Sequence, residues 1–260
     1  MSYIGTTKIG KMFLGDTEIA KAYLGTELVF QNAVEEYIVF KDANVGQICA
    51  TQWGDGVGIK PSQAAAVPFS TTAQKNAFWN AFTSIKTTMT SFDELGYFTS
   101  VDRINGQAFK DNTVLTSIDL SNIKQILYEA FRGCTALAIE VDIPNLTYLD
   151  YNAFYGSGVK KVKSFGTITS MSTYGTFQNC TSLTEAVVPA TLTSFGRQQF
   201  YGCSNLNHVI MLPTTPPTTP RITLRIQPPS DFMMIPASHP QTAPITKETS
   251  KFTNIFSFLL

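Results

Sequence analysis

The chain has 260 residues, and its 19 Lys plus Arg balance 19 Asp plus Glu, so the formal net charge is zero. With no basic excess to neutralise phosphates, the composition argues against a dedicated nucleic-acid binder. Hydrophobic residues make up 43% of the chain, enough for a core, yet no stretch approaches the roughly eighteen consecutive apolar residues of a membrane span. Charged residues are 15%, against about 25% in an average soluble domain. Ser, Thr, Asn and Gln cover the surface instead, which suits an extracellular or virion-borne protein.

Residues 1–31 carry a repeat of about ten. Ile4-Gly5-Thr6-Thr7-Lys8-Ile9-Gly10-Lys11 is followed by Leu14-Gly15-Asp16-Thr17-Glu18-Ile19-Ala20-Lys21, then by Leu24-Gly25-Thr26-Glu27-Leu28-Val29-Phe30. Each Gly follows an apolar residue and precedes polar turn residues, so the segment reads as short strands in a β-meander or β-roll, or as a simple hairpin packed on the neighbouring cap. Three strands are marginal alone, so this β-repeat module is expected to pair with another protein or with copies of itself. It is similar to modules that open structural proteins of phages infecting gut Bacteroidales. The N-terminus lacks the charged start, apolar run and small-residue cleavage site of a secretory signal.

Residues 32–100 read as an α/β cap. They include Glu36-Tyr37-Ile38-Val39-Phe40, Ile48-Cys49-Ala50 and Ser91-Phe92-Asp93-Glu94-Leu95-Gly96-Tyr97-Phe98. The loop Trp53-Gly54-Asp55-Gly56-Val57-Gly58-Ile59 resembles a decayed calcium-binding hand. It offers Asp55 as its one carboxylate, with Gln63 near the place of the closing acid, so no metal is expected there. Covering the open end of a repeat stack is the expected role.

From 101 to 212 self-similarity governs. Phe109, Phe131, Phe154, Phe177 and Phe200 recur at intervals of 22, 23, 23 and 23 residues. Ahead of them lie the apolar pairs Val101/Ile104, Ile123/Ile126, Leu146/Leu149, Ile168/Met171 and Leu192/Phe195. After them come small-residue turns and short β-prone runs such as Ala186-Val187-Val188-Pro189. A unit of this size cannot bury its apolar side chains alone and must stack them on its neighbours. The expected fold is therefore mainly β with some α: a solenoid of about five 22–23-residue coils, each Phe forming one rung of a ladder. Cys134, Cys180 and Cys203 all fall three residues after a repeat Phe, in a slot that Asn112 and Ser157 fill elsewhere. That register predicts a stack of small buried thiols rather than a metal site or redox pair.

The turn Phe200-Tyr201-Gly202-Cys203-Ser204-Asn205-Leu206, preceded by Leu192-Thr193-Ser194-Phe195-Gly196 and followed by a strand ending at Pro213, resembles the BspA-like leucine-rich repeats. The resemblance covers about 101–212 and implies a leucine-rich-repeat-type solenoid used for attachment.

After Leu212 the composition shifts: nine of the thirteen prolines lie between Pro213 and Pro244, and no glycine follows Gly202. Residues 213–260 read as an extended, proline-rich tail with an apolar end, Ile255-Phe256-Ser257-Phe258-Leu259-Leu260.

The search for chemistry finds little. His208 and His239 are the two histidines, no nucleophile elbow, phosphate loop or zincin helix occurs, and Asp93-Glu94 reads as capping or surface charge. No catalytic residue, cofactor or metal is expected. Binding is the better candidate, and Tyr148, Tyr151, Tyr155, Tyr174 and Tyr201, on or beside the repeat turns, are the candidate ligand-binding aromatics. The expected role is a virion fibre or decoration subunit. Its N-terminal module would mount it among other virion proteins, and its slab would meet a host-surface protein or polysaccharide. The alternatives are a bacterial cell-surface adhesin and, more remotely, an intracellular scaffold.

Overall fold

The computed structural model describes residues 3–4, 7–8, 12–14, 17–19, 21–24, 27–31, 35–171, 174–194, 196, 198–211 and 222–225. The N-terminal repeat forms six strands rather than three. β1 (Tyr3–Ile4) pairs with β2 (Thr7–Lys8), β3 (Met12–Leu14) with β4 (Thr17–Ile19), and β5 (Lys21–Leu24) with β6 (Glu27–Gln31). All three pairs are antiparallel, and each is a two-stranded sheet of its own instead of one strand of a meander. The innermost pairs are Ile4↔Thr7, Leu14↔Thr17 and Leu24↔Glu27.

The cap holds helices α1 (Ala43–Trp53), α2 (Pro61–Ala65) and α3 (Thr72–Asn80). Asp42 starts α1: its Oδ1 accepts from the Asn44 and Val45 N–H groups at 3.0 and 3.4 Å, while Oδ2 accepts from the Thr90 N–H at 2.7 Å. One carboxylate thus ends a helix and ties it to the first coil. Pro61 stands in the first turn of α2, where its missing N–H costs nothing, and Thr71 with Gln74 closes a capping box on α3. Inside, Trp53 stacks on Phe78 at 4.8 Å, and Phe78 meets Phe82, Phe98, Phe69 and Trp79 edge-on. Trp79 then contacts Phe109, the first rung, at 5.6 Å and donates its indole N–H to the Arg103 carbonyl at 2.8 Å. Core and polar contacts together join cap to coils.

The solenoid strands are short: β7 (Ser91–Phe92), β8 (Arg103–Ile104), β9 (Ser117–Ile118), β10 (Gln125–Ile126), β11 (Glu140–Asp142), β12 (Tyr148–Leu149), β13 (Lys161–Ser164), β14 (Glu185–Val188), β15 (His208–Met211) and β16 (Ile222–Arg225). They form three ladders: β8-β10-β12, β7-β9 and β11-β13-β14-β15-β16. Every pairing is parallel except β15 with β16. Two boundaries differ from the sequence reading. Strand pairing begins at Ser91, inside the segment expected as cap, and β16 lies within the expected tail, where it reverses direction and covers the edge of β15. The apolar end Ile255–Leu260 and the partner Phe195 of Leu192 lie outside the described residues.

The core follows the repeat. Val141, Val162, Ala186 and Val209 occupy one register row and are buried, and the pairs from Val101/Ile104 through Ile168/Met171 are buried in turn. The Phe ladder is present: successive centroids from Phe109 to Phe200 are 5.1, 5.0, 5.2 and 5.9 Å apart, with interplanar angles of 5, 10, 5 and 21°. Mostly parallel β-solenoid with about five coils and a few helices is the observed architecture. Neighbouring coils approach so closely that a Cβ on Gly158 would lie 2.2 Å from the Thr135 carbonyl oxygen.

Candidate functional site

Each repeat Phe is followed by left-handed backbone, and each except Phe177 is also preceded by it. Two residues after the Phe, Asp111, Gly133, Gly156, Asn179 and Gly202 have φ between 60 and 74°. These residue types tolerate that conformation. Two residues before it, Gln107, Glu129, Asn152 and Gln198 have φ between 52 and 60°, at a cost of roughly 1–2 kcal/mol each for ordinary side chains. The neighbouring coil supplies the compensation. The N–H groups of Phe109, Phe131, Phe154 and Phe177 donate to the next coil's Ala130, Ala153, Thr176 and Gln199 carbonyls at 2.7–3.1 Å. Bonds in one direction thus fix every turn against the next.

The Cys slot is bonded in the opposite direction. Cys134, Cys180 and Cys203 donate Sγ–H to the Phe109, Phe154 and Phe177 carbonyl oxygens of the preceding coil at 3.0, 2.9 and 3.0 Å. Asn112, in the same slot of the first coil, donates to the Met89 carbonyl at 2.8 Å. All four cysteines, Cys49 included, are buried free thiols. Burial pushes the Cys134 thiol up to about 12 and Cys180 up to about 11, and raises Cys49 and Cys203 as well. The slot is therefore a donor position, a role that the sequence reading of packing alone did not contain.

Three residues before the repeat Phe, the turns carry Tyr128, Tyr151 and Tyr174, exposed by 38, 38 and 64%. Tyr128 and Tyr151 stack at 5.5 Å with 15° between their planes. In the preceding coil the slot is Gly106, where a Cβ would come within 2.4 Å of the Tyr128 ring. The row therefore starts on a glycine floor and climbs coil by coil. Tyr128 was absent from the sequence candidates, although its spacing from Phe131 is the signal that finds it.

The other candidates divide. Tyr148 lies exposed on β12, and burial together with Asp150 raises its hydroxyl pKa. Tyr201 is exposed in the slot directly after the Phe. Tyr155, in that same slot two coils earlier, is half-buried beneath the Arg132 guanidinium at 5.1 Å and accepts from Asn179 Nδ2 at 2.8 Å. It is tied into the structure rather than offered to a ligand.

Beside the row sits a buried carboxylate. Glu129 accepts from Gln107 Nε2 at 2.9 Å, from Lys110 Nζ at 2.8 Å and from the Arg132 guanidinium. The Lys110 bond first, with those of Gln107 and Arg132, holds its pKa down at about 2. The cluster fixes one of the left-handed residues. In the Trp53–Ile59 loop, Asp55 accepts from the Val57 and Gly58 N–H groups at 3.0 Å and from the Tyr37 hydroxyl at 2.5 Å, while Gln63 accepts from the Lys60 N–H. Both side chains are occupied by the loop and by α2. Among the described residues no group of three His, Cys, Asp or Glu is placed to hold a metal, and no helix is long and apolar enough to cross a membrane. His208 lies on β15 beside Asn207, and His239 lies outside the described residues.

Stacked coils of 22–23 residues, parallel ladders and a Phe rung in every turn define a solenoid of the leucine-rich-repeat type. Residues 102–216 match the BspA type leucine rich repeat region in six copies, so the repeat segment, somewhat less than half of the chain, is of that type. The chain is similar to two solved structures. One is a leucine-rich repeat protein from Bacteroides ovatus ATCC 8483, with 21% identity over 44% of this chain and 36% of that one and a TM-score of 0.34. The other is a leucine rich cell surface protein from Faecalibacterium prausnitzii A2-165, with 19% identity over 54% of this chain and 41% of that one and a TM-score of 0.33. The chain spans well under half the length of either. No curated protein matches it.

Proposed function

We propose that this is a non-catalytic recognition protein whose tyrosine row binds a protein or polysaccharide on a host surface. The N-terminal hairpins mount it on a phage particle as a fibre or decoration subunit. The observation that carries the recognition half is the recurrence of exposed Tyr128, Tyr151 and Tyr174 in one slot of three consecutive coils. Aromatic side chains held by a rigid frame lose little entropy on binding, which is why they anchor interfaces. The mounting half rests on the resemblance of residues 1–31 to phage structural modules. A second setting, the bacterial cell surface, is favoured by the BspA type of the repeats, and it leaves the recognition chemistry unchanged.

The test is binding of the purified full-length protein to intact host cells, comparing wild type with a Tyr128→Ala/Tyr151→Ala/Tyr174→Ala variant. An anchor residue typically contributes about 2 kcal/mol, so affinity should fall at least tenfold while the circular dichroism spectrum is unchanged. Equal binding by the two proteins would remove the row from the interface. Antibody labelling of phage particles and of bacterial surfaces then distinguishes the two settings.

A further inference from the structure

The N-terminal segment repeats more strictly than its glycines alone require. Written in tens it reads Tyr3-Ile4-Gly5-Thr6-Thr7-Lys8-Ile9-Gly10-Lys11, Phe13-Leu14-Gly15-Asp16-Thr17-Glu18-Ile19-Ala20-Lys21 and Tyr23-Leu24-Gly25-Thr26-Glu27-Leu28-Val29-Phe30-Gln31. An aromatic, an aliphatic and a Gly open each unit, and Thr7 and Thr17 stand at the same place in the first two units, where the third has Glu27. Among the described residues the hairpins β1-β2, β3-β4 and β5-β6 share no ladder with one another or with the solenoid. Each therefore keeps two strand edges without a ladder partner among the described residues. In the second hairpin the register pairs Met12 with Ile19, Phe13 with Glu18 and Leu14 with Thr17.

A lone two-stranded hairpin is marginal at best in water, and an edge with unpaired N–H and C=O groups is a template for another strand. Three hairpins in tandem, each opened by an aromatic, an aliphatic and a Gly every ten residues, suit a partner with the same spacing, and a second copy of this chain carries that period. We infer that residues 1–31 are a self-association element: hairpins of two or more copies pair edge to edge in register, so that several solenoids project from one stem. Joining copies in this way raises the avidity of a weak surface site with no new contact to the ligand. The inference does not depend on the tyrosine row, whose variants leave it untouched.

The experiment uses the full chain. Light scattering coupled to size exclusion should give wild type a mass at least twice that of one chain at micromolar concentration. The variant Leu14→Asp/Ile19→Asp should give the mass of one chain with an unchanged solenoid melting transition. Wild type at the mass of one chain, or a variant that keeps the wild-type mass, overturns the inference. A second variant covers the case in which those aspartates disturb folding. Because the four native thiols are buried, a cysteine introduced by Thr17→Cys is selectively addressable. A short bismaleimide should link two copies through it, and should fail to link His208→Cys on the solenoid. Absence of the Thr17→Cys dimer overturns the inference equally.

Discussion

Replacing Phe154 by Ala tests the ladder at its centre. Phe154 is fully buried, with Phe131 stacked on one face at 5.0 Å and Phe177 on the other at 5.2 Å. Removing a buried Phe costs about 3–5 kcal/mol, and the upper end applies where the cavity cannot collapse. Here it cannot, because the coils on both sides stay bonded: Phe131 N–H to Ala153 O at 2.7 Å and Phe154 N–H to Thr176 O at 2.9 Å. The two parallel ring pairs lost with the side chain are part of that cost. Phe154→Ala should therefore cost about 5 kcal/mol. Phe200, whose ring meets Phe177 less closely, at 5.9 Å and 21°, and which is slightly exposed, should cost about 3 kcal/mol when treated in the same way. Urea unfolding followed by far-ultraviolet circular dichroism gives both values from the midpoint shifts. Since a solenoid is held by nearest-neighbour interfaces, the central variant should also broaden the transition, and the terminal one should not. A Phe154→Ala cost no larger than that of Phe200→Ala would show that the rings do not act as a ladder.

Three further outcomes come from the polar slots. Glu129, with its pKa held near 2, stabilises the fold fully above the ordinary Glu value of about 4.3, and that contribution is lost as pH falls through about 2. Glu129→Gln should lower the melting temperature at pH 6 and converge with wild type near pH 2; parallel curves across that window would refute the assignment. The ladder thiols should resist iodoacetamide in the folded protein and react on unfolding, since burial keeps them protonated. Cys180→Val, which removes the Sγ donor from the Phe154 carbonyl and leaves it the Ser157 N–H at 3.0 Å, should cost about 0.5–1.5 kcal/mol. Cys180→Ser should cost less because it keeps the bond. Equal costs would mean that the bond from Sγ contributes nothing.

The ladder was legible because a fixed interval between large apolar residues admits one economical arrangement, the stack. The turns were half legible. Asp111, Gly133, Gly156, Asn179 and Gly202 are residue types that announce left-handed backbone. Gln107, Glu129, Asn152 and Gln198 include two types that do not, and Gln107 and Glu129 are held by bonds from their N–H groups to carbonyls of the next coil. Tyr155 shows the same limit at the site. Its partners Arg132 and Asn179 are 23 and 24 residues away, and nothing local to Tyr155 distinguishes it from the exposed Tyr201. The strand β16 was hidden for another reason: prolines on both sides of Ile222–Arg225 mask a segment whose pairing is set by the open edge of β15.

The tyrosine row and the Phe ladder are one device seen from two sides. A left-handed residue, Glu129 or Asn152, directly follows Tyr128 and Tyr151 and leads into the Phe, and the N–H groups of Gln107 and Glu129 donate to the carbonyl of the next coil's tyrosine at 3.0 and 3.1 Å. The spacing of the surface rings, 5.5 Å between Tyr128 and Tyr151, is accordingly close to the 5.0 Å between Phe131 and Phe154 beneath them. A ligand that engages several tyrosines therefore reads a distance set by core packing. A change in the core that shifts one coil displaces one anchor relative to the next. Affinity for such a ligand should follow the integrity of the ladder even where the substituted residue never touches the ligand.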